Sequence, residues 1–208
     1  MEISVYAAVA AIAYLIGSIP TGALLARRYK NIDLTAVGSG STGATNATRY
    51  LGTGAGAIVL IGDFAKGVVA VWLATQMVGT PAATGIAGFA AVFGHVHSIF
   101  LGGRGGRGIV TGLGGLAVAM PLLFVVAALA GCVTVAVSRY VSLGSLVGTG
   151  TAAAGGLIAY FNGYLPLELL IYILATALVV ILAHAGNIAR LRAGTERRLG
   201  QPAAPPLA

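Results

Sequence analysis

Residues 109–138 read IVTGLGGLAVAMPLLFVVAALAGCVTVAVS, thirty residues without a charge. A bilayer core about 30 Å thick takes roughly 20 mainly apolar residues per helical crossing. The run is therefore too long for one crossing and short for two full ones. Pro121 stands inside it. A proline within a helix removes a backbone hydrogen bond and clashes with the preceding turn. Whether this run crosses once or twice decides which side of the membrane everything after it occupies.

The rest of the chain frames that choice. Its 208 residues are 58% hydrophobic and 8% charged, with a mean hydropathy of +0.95. A soluble domain carries about a quarter charged residues, so lipid is the solvent of this chain. Apolar spans are predicted at residues 3–26, 54–78 and 84–101 before the run, and at 141–161 and 166–189 after it. Between them lie a polar stretch, 27–53, an uncharged turn, 79–83, around Pro81, and a glycine-arginine loop, 102–108. The basic tail 190–208 turns rich in proline and alanine. The start, MEISVYAAVAAIAYLIG, lacks a positive n-region and outruns a usual signal core, so it reads as a first membrane helix.

Lys and Arg accumulate on the cytoplasmic side of membrane proteins. Arg27, Arg28 and Lys30 put the first loop inside and the N-terminus outside. Arg104 and Arg107 return to the inside two spans later. If 109–138 crossed once, Arg139 and the basic tail, with Arg190, Arg192, Arg197 and Arg198, would all lie outside. Two short helices broken near Pro121 restore them to the cytoplasm. The expectation is an all-α integral membrane protein with seven helical transmembrane segments, two of them short, an external N-terminus and a cytoplasmic C-terminus. Residues 1–198 are expected to form one multi-pass domain and 199–208 a disordered cytoplasmic tail. The net charge of +7 belongs to cytoplasmic loops and not to a nucleic-acid surface. The 32 glycines suit close helix packing in lipid. Cys132, in an apolar run, reads as a small packing residue with no disulfide framework around it.

Two loops carry the chemistry. The first runs from Val37 to Arg49 and reads VGSGSTGATNATR. Successive backbone N–H groups in such a loop can form an anion nest, with Ser39, Thr42 and Thr45 as hydroxyl donors. The second, Gly102 to Gly108, reads GGRGGRG. Its glycines permit close backbone approach to phosphate, and its arginines are permanent bidentate donors. Both loops match G-x-G-x-x-G, at Gly38, Gly40, Gly43 and at Gly103, Gly105, Gly108. Neither follows a strand in a βαβ unit, so the dinucleotide reading fails. Asp63 and Lys66 lie one helical turn apart inside a span, an arrangement that favours a structural ion pair over catalysis. His95 and His97 precede the second loop. His184 and Asn187 share a helix face, followed by Arg190 and Glu196. The ordinary expectation for Ser142 and Ser145 is a hydroxyl bonded to its own helix backbone. No histidine, cysteine or carboxylate spacing suggests a metal, and no cofactor is expected.

Three segments together resemble the PlsY family, the membrane acyl-phosphate:glycerol-3-phosphate acyltransferases. The first is Gly38 to Arg49 with Leu51-Gly52 and Gly62-Asp63-Phe64-Ala65-Lys66-Gly67. The second is Gly94-His95 through Phe100, then Gly102 to Gly108 and Thr111. The third joins Arg139-Tyr140-Val141-Ser142-Leu143 to His184, Asn187, Arg190, Gly194 and Glu196. Gly17-Ser18-Ile19-Pro20 with Gly22 also fits, so the likeness spans about residues 17–198. Departures are Ser41 for the family's Asn, Arg104 and Arg107 for its lysines, Gly103 for an aromatic and Ala185 for an Arg. They bear on rate and substrate preference.

The resemblance implies transfer of an acyl group from acyl phosphate to the 1-hydroxyl of glycerol 3-phosphate at the cytoplasmic face of the bacterial inner membrane. It implicates Ser39, Arg49, Arg107, Ser142, His184 and Asn187 in catalysis. Gly38, Gly40, Gly43, Thr45, Asn46, Arg104, Gly105, Gly106, Gly108 and Thr111 are the expected phosphate-binding set. Expected partners are acyl phosphate, glycerol 3-phosphate, membrane lipid and the soluble enzyme that makes acyl phosphate. Acyl phosphate is already activated, so a substrate phosphate oxygen can take the hydroxyl proton; His184 is the competing base. The rival class is a carrier or channel for a phosphorylated solute, built on the same basic loops. Against it, both loops fall on one side and no inverted repeat is evident.

Overall fold

The computed structural model describes residues 3–201, and among them there are helices and connections but no strand. The first apolar segment is two helices, α1 (Ile3–Ser18) and α2 (Thr21–Lys30). The expected span over 3–26 stands as one candidate crossing, Ile3–Lys30, but its helix is interrupted, because Pro20 lacks the N–H that would continue the helical ladder. The carbonyls freed by the break are caught from other helices. Ser98 Oγ donates to Ser18 O at 2.6 Å, and Lys66 Nζ donates to Ile19 O at 3.1 Å. An ammonium on the C-terminal end of a helix also meets the negative end of its dipole.

The polar stretch 27–53 is more ordered than a loop. Helix α2 continues to Lys30 and ends on Asn31 in the left-handed conformation. A further helix, α3 (Ala44–Leu51), follows. Helix α4 (Thr53–Met77) comes next, then α5 (Pro81–Val96), whose start absorbs most of the expected turn at 79–83. Thr80 accepts from the Ala83 N–H at 3.2 Å there, and Pro81 occupies the first helical position, where its missing N–H costs nothing. The segment expected to reach residue 101 leaves α5 at Val96 and finishes as a short 3-10 turn, Ile99–Leu101.

The opening run divides into α6 (Ile109–Ala119) and α7 (Pro121–Ser138), parted at Met120. Helices α8 (Val141–Phe161), α9 (Leu167–Ala183) and α10 (Ala185–Arg192) complete the order, with a 59° bend between α9 and α10 at His184. Among the described residues, five helical stretches are long and apolar enough to cross a membrane, or six with the bent α9–α10 pair. Helix α6, at 11 residues, extends about 16 Å and is shorter than a bilayer core.

Packing follows the small residues. Helix α1 lies on α5, α4 on α6, and α7 on α8, while α9 touches both α5 and α8. A Cβ at Gly17 would overlap the Ala91 backbone, and one at Gly67 the Thr111 carbonyl. Without a hydrophobic drive between helices in lipid, such close approach is what holds them. The chain therefore forms a group α1, α4, α5, α6 and a pair α7, α8, with α9 bridging them. The tail is docked beyond the expected boundary at 198: the Leu199 N–H donates to Arg139 O at 2.7 Å. Of the expected disordered tail, residues 202–208 lie outside the described residues.

Candidate active site

A cavity of about 670 Å³ lies where the two helix groups meet. One end is polar and the other apolar. On α8 the wall is formed by Ser142, Ser145, Gly148 and Ala152, on α9 by Val180, Ala177 and Ile173, with His184 at its C-terminal cap. Residues three or four apart share a helix face, so each helix presents one stripe running from the polar end into the bundle. Ten residues from Ser142 to Ala152 correspond to about 15 Å of depth.

The first loop is organised by Asn46. Its Nδ2 donates to Leu34 O, Val37 O and Ser41 O at 3.2, 3.1 and 2.9 Å, and its Oδ1 accepts the Ser39 N–H at 3.3 Å. The side chain is 2% exposed. Asn46 thus folds the loop, which places Ser39 and Gly43 on the cavity wall with Thr45 and Arg49 of α3. Gly43 precedes α3, and Ala44 and Thr45, at the start of its first turn, line the same cavity.

The second loop is built differently. The Gly106 N–H donates to His95 O at 3.0 Å, the Gly103 N–H to Ser98 O at 2.9 Å and the Arg104 N–H to Leu101 O at 3.3 Å. These amides are turned inward. What reaches the cavity is its exit: Arg107, Gly108 and the first residues of α6. Gly108 caps α6 with φ +82. The loops touch, the Thr42 N–H donating to Gly105 O at 3.3 Å.

The third segment closes the polar end around Glu196. Its Oε1 accepts from Ser142 Oγ at 2.7 Å and Asn187 Nδ2 at 2.6 Å, and its Oε2 meets Arg190 Nε at 2.7 Å. Burial pushes the Glu196 carboxyl up, but the three donors outweigh it and hold the group below its ordinary value. Ser142, expected to bond its own helix, reaches across 54 residues instead. His184 is 1% exposed, and its Nδ1 lies 2.8 Å from Val180 O. A carbonyl only accepts, so Nδ1 carries the proton and Nε2 is the free lone pair of the neutral ring. Burial lowers the pKa of Arg49, and lowers that of Arg107 to about 10; both remain charged at neutral pH.

Of the expected residues, the cavity brings together Gly38, Ser39, Gly43, Thr45, Asn46, Arg49, Arg107, Gly108, Ser142, His184 and Asn187. It leaves out Gly40, Arg104, Gly105, Gly106 and Thr111. Arg104 is exposed. Gly105 and Gly106 pack on the end of α5, where a Cβ would overlap His95. Thr111 is buried, with its carbonyl against Gly67 of α4. Unexpected at the wall are Arg190 and Arg197 beside Glu196, and Asp63 with His95. Asp63 pairs with Lys66 at 3.0 Å and lies 3.7 Å from His95 Nδ1. The helical spacing of Asp63 and Lys66, the place of His95 before the second loop and that of Arg190 and Glu196 after His184 were signals in the sequence; Arg197 at the wall had none. Among the described residues no group of histidine, cysteine and carboxylate side chains forms a metal site.

Residues 7–194 match the family described as Glycerol-3-phosphate acyltransferase. The chain is 42% identical over 199 residues to the Glycerol-3-phosphate acyltransferase of Gloeobacter violaceus, covering 93% of this chain and 95% of the relative. It is 44% identical over 188 residues to that of Geobacter sulfurreducens, covering 90% and 94%. Its fold is similar to the crystal structure of PlsY (YgiH), an integral membrane glycerol 3-phosphate acyltransferase, in its glycerol 3-phosphate form. That likeness has a TM-score of 0.85 at 36% identity, covering 94% of this chain and 96% of that one. The lysophosphatidic acid form of the same protein gives 0.83 at 34% identity, covering 94% and 95%.

Proposed function

This chain belongs to the glycerol-3-phosphate acyltransferase family and acylates glycerol 3-phosphate to lysophosphatidic acid, and we propose that its acyl donor is an acyl phosphate. The observation that carries this reading is the cavity, which joins an arginine-lined mouth to a deep apolar groove. A fatty acyl chain fits the groove between α6, α7, α8 and α9. The phosphates fit the mouth, where the starts of α3 and α6 and the charges of Arg49 and Arg107 converge.

In the reaction, the 1-hydroxyl oxygen of glycerol 3-phosphate attacks the acyl carbonyl carbon. The bond from that carbon to the phosphate oxygen breaks, and inorganic phosphate leaves. The hydroxyl proton passes to a substrate phosphate oxygen. Two anions must approach each other, and fixed donors offset their repulsion without reorganising. Both oxygens of Glu196 are engaged by Ser142, Asn187 and Arg190, so Glu196 holds the wall and is no base. His184, with its Nε2 lone pair, is the alternative proton acceptor; a His184→Gln variant with near-normal turnover would remove it from that role.

Seven crossings, an external N-terminus and a cytoplasmic mouth in a bacterial inner membrane complete the proposal. Supporting it, the run is parted into α6 and α7 at Met120, and Arg49, Arg107, Arg190 and Arg197 gather at one end of the bundle. A soluble enzyme that makes acyl phosphate would supply the donor from that side.

The test gives purified, detergent-solubilised protein glycerol 3-phosphate with acyl phosphate, acyl-CoA or acyl carrier protein in turn. Lysophosphatidic acid with equimolar phosphate from acyl phosphate alone is expected. Product from a thioester donor only would overturn the donor assignment.

A further inference from the structure

The segment after α10 lies across the mouth of the cavity as a strap, and almost every residue in it is tied down. The Thr195 N–H donates to Arg190 O at 2.9 Å. Glu196 holds Ser142, Asn187 and Arg190. Arg198 Nε lies 3.3 Å from the Tyr140 hydroxyl, its guanidinium 5.4 Å from the ring centre. Leu199 and Arg139 exchange two hydrogen bonds, at 2.7 Å from the Leu199 N–H to Arg139 O and 3.0 Å from Arg139 Nη2 to Leu199 O.

Arg197 is the exception. It lines the cavity with Arg49 and Arg107, and its Nη1 is buried with no hydrogen-bond partner among the described residues. A buried charged donor without an acceptor is costly, and the neighbours on either side leave the strap little freedom to withdraw it. The carboxylate beside it already accepts from Ser142, Asn187 and Arg190 and has no hydrogen bond to Arg197. The charge of Arg197 is also felt at Arg49, whose pKa is lowered first by burial and then by Arg197. No acceptor among the described residues satisfies Arg197, and an anion that enters the cavity would.

Resting on the acyltransferase reading, we propose that Arg197 is a substrate-phosphate ligand, delivered to the active site by the C-terminal strap as a fourth arginine at the mouth. Its task is binding. Arg49 and Arg107 come from the two glycine loops, and Arg190 is held by Glu196, so Arg197 supplies a free fork to a phosphate on the side the loops do not cover. Glycerol 3-phosphate and the phosphate of the acyl donor share this chemistry, and the experiment separates them.

The test compares wild type, R197Q and R197K in purified form, measuring KM for glycerol 3-phosphate, KM for acyl phosphate, the inhibition constant of inorganic phosphate, and the thermal midpoint. R197Q is expected to raise one of the two KM values and weaken phosphate inhibition by about tenfold, the loss of one charge-assisted contact. The midpoint should stay unchanged, and R197K should fall between. The substrate whose KM moves identifies the phosphate. KM values and phosphate inhibition within twofold of wild type overturn the proposal, as does a loss confined to kcat and the midpoint. If the Gln variant fails to fold, R197K decides alone: it keeps the charge but not the fork, so a KM rise of about threefold supports the contact and an unchanged KM overturns it. Wild-type protein that makes no lysophosphatidic acid would instead sink the underlying reading.

Discussion

The two glycine loops look alike in sequence and are made by opposite means. The first is folded from within: one buried amide, Asn46, takes three carbonyls and one N–H of its own loop. The second is folded from below: Gly105 and Gly106 are pressed onto the end of α5, where only a hydrogen in place of a side chain clears His95. The shared G-x-G-x-x-G spacing therefore has no single meaning. In the first loop Gly38 and Gly40 supply left-handed backbone, with φ +63 and +67. In the second, Gly103 and Gly108 are left-handed too, with φ +83 and +82, but Gly105 and Gly106 supply closeness, and only Gly108 opens onto the cavity.

This difference gives graded predictions. The largest effect is expected from Asn46→Ala, which strands the Leu34 and Ser41 carbonyls and the Ser39 N–H, while Val37 O keeps the Gly40 N–H. Unsatisfied buried groups cost about 1–3 kcal/mol each, so kcat/KM should fall by at least about 100-fold. Near-normal activity would mean that the loop folds without its amide. Next comes Gly106→Ala, an overpacking change worth about 1–3 kcal/mol and so about 10- to 100-fold. Its diagnostic is suppression: His95→Ala removes the obstacle, so the double variant should outperform Gly106→Ala alone. A double variant worse than both singles would show that the closeness to His95 is not what requires the glycine.

Gly40→Ala is expected to be mild. The site has room, with Thr35 O at 3.5 Å from the added carbon, and only the left-handed conformation is penalised, by about 1–2 kcal/mol. A loss no greater than about 30-fold should appear in the same kinetic assay; a larger one would place Gly40 in contact with substrate. The smallest effect at neutral pH belongs to the strap. Because its donors hold Glu196 below the ordinary carboxyl value, docking should be complete above that value and be lost only as pH falls through the depressed one. Hydrogen exchange of residues 194–199 should therefore stay slow through mild acid and accelerate below it. Acceleration already near neutral pH would contradict the Glu196 geometry.

Much of the fold was legible because lipid leaves a plain signal: apolar length, punctuated by Pro121 and by arginines. The break at Pro20 was missed, since the apolar run continues through it. What makes the break tolerable is Ser98 and Lys66, distant in sequence. Helix α3 was missed because its polar residues read as loop. At the site, His184, Asn187, Arg190 and Glu196 could be grouped from proximity along the chain. The bond from Ser142 to Glu196 could not, nor could the separation of exposed Arg104 from cavity-lining Arg107 three positions on. Both depend on which way an irregular segment turns, and periodicity says nothing about that.

The central claim is that the two loops, however differently made, serve one pair of phosphates in one cavity. The most direct test is kcat/KM for glycerol 3-phosphate in Arg49→Gln, Arg107→Gln and the double variant. Groups that stabilise the same transition state are strongly non-additive. The account predicts that the double variant loses clearly less than the product of the two single losses. Losses that simply multiply would mean that the loops act on independent sites, and would contradict it.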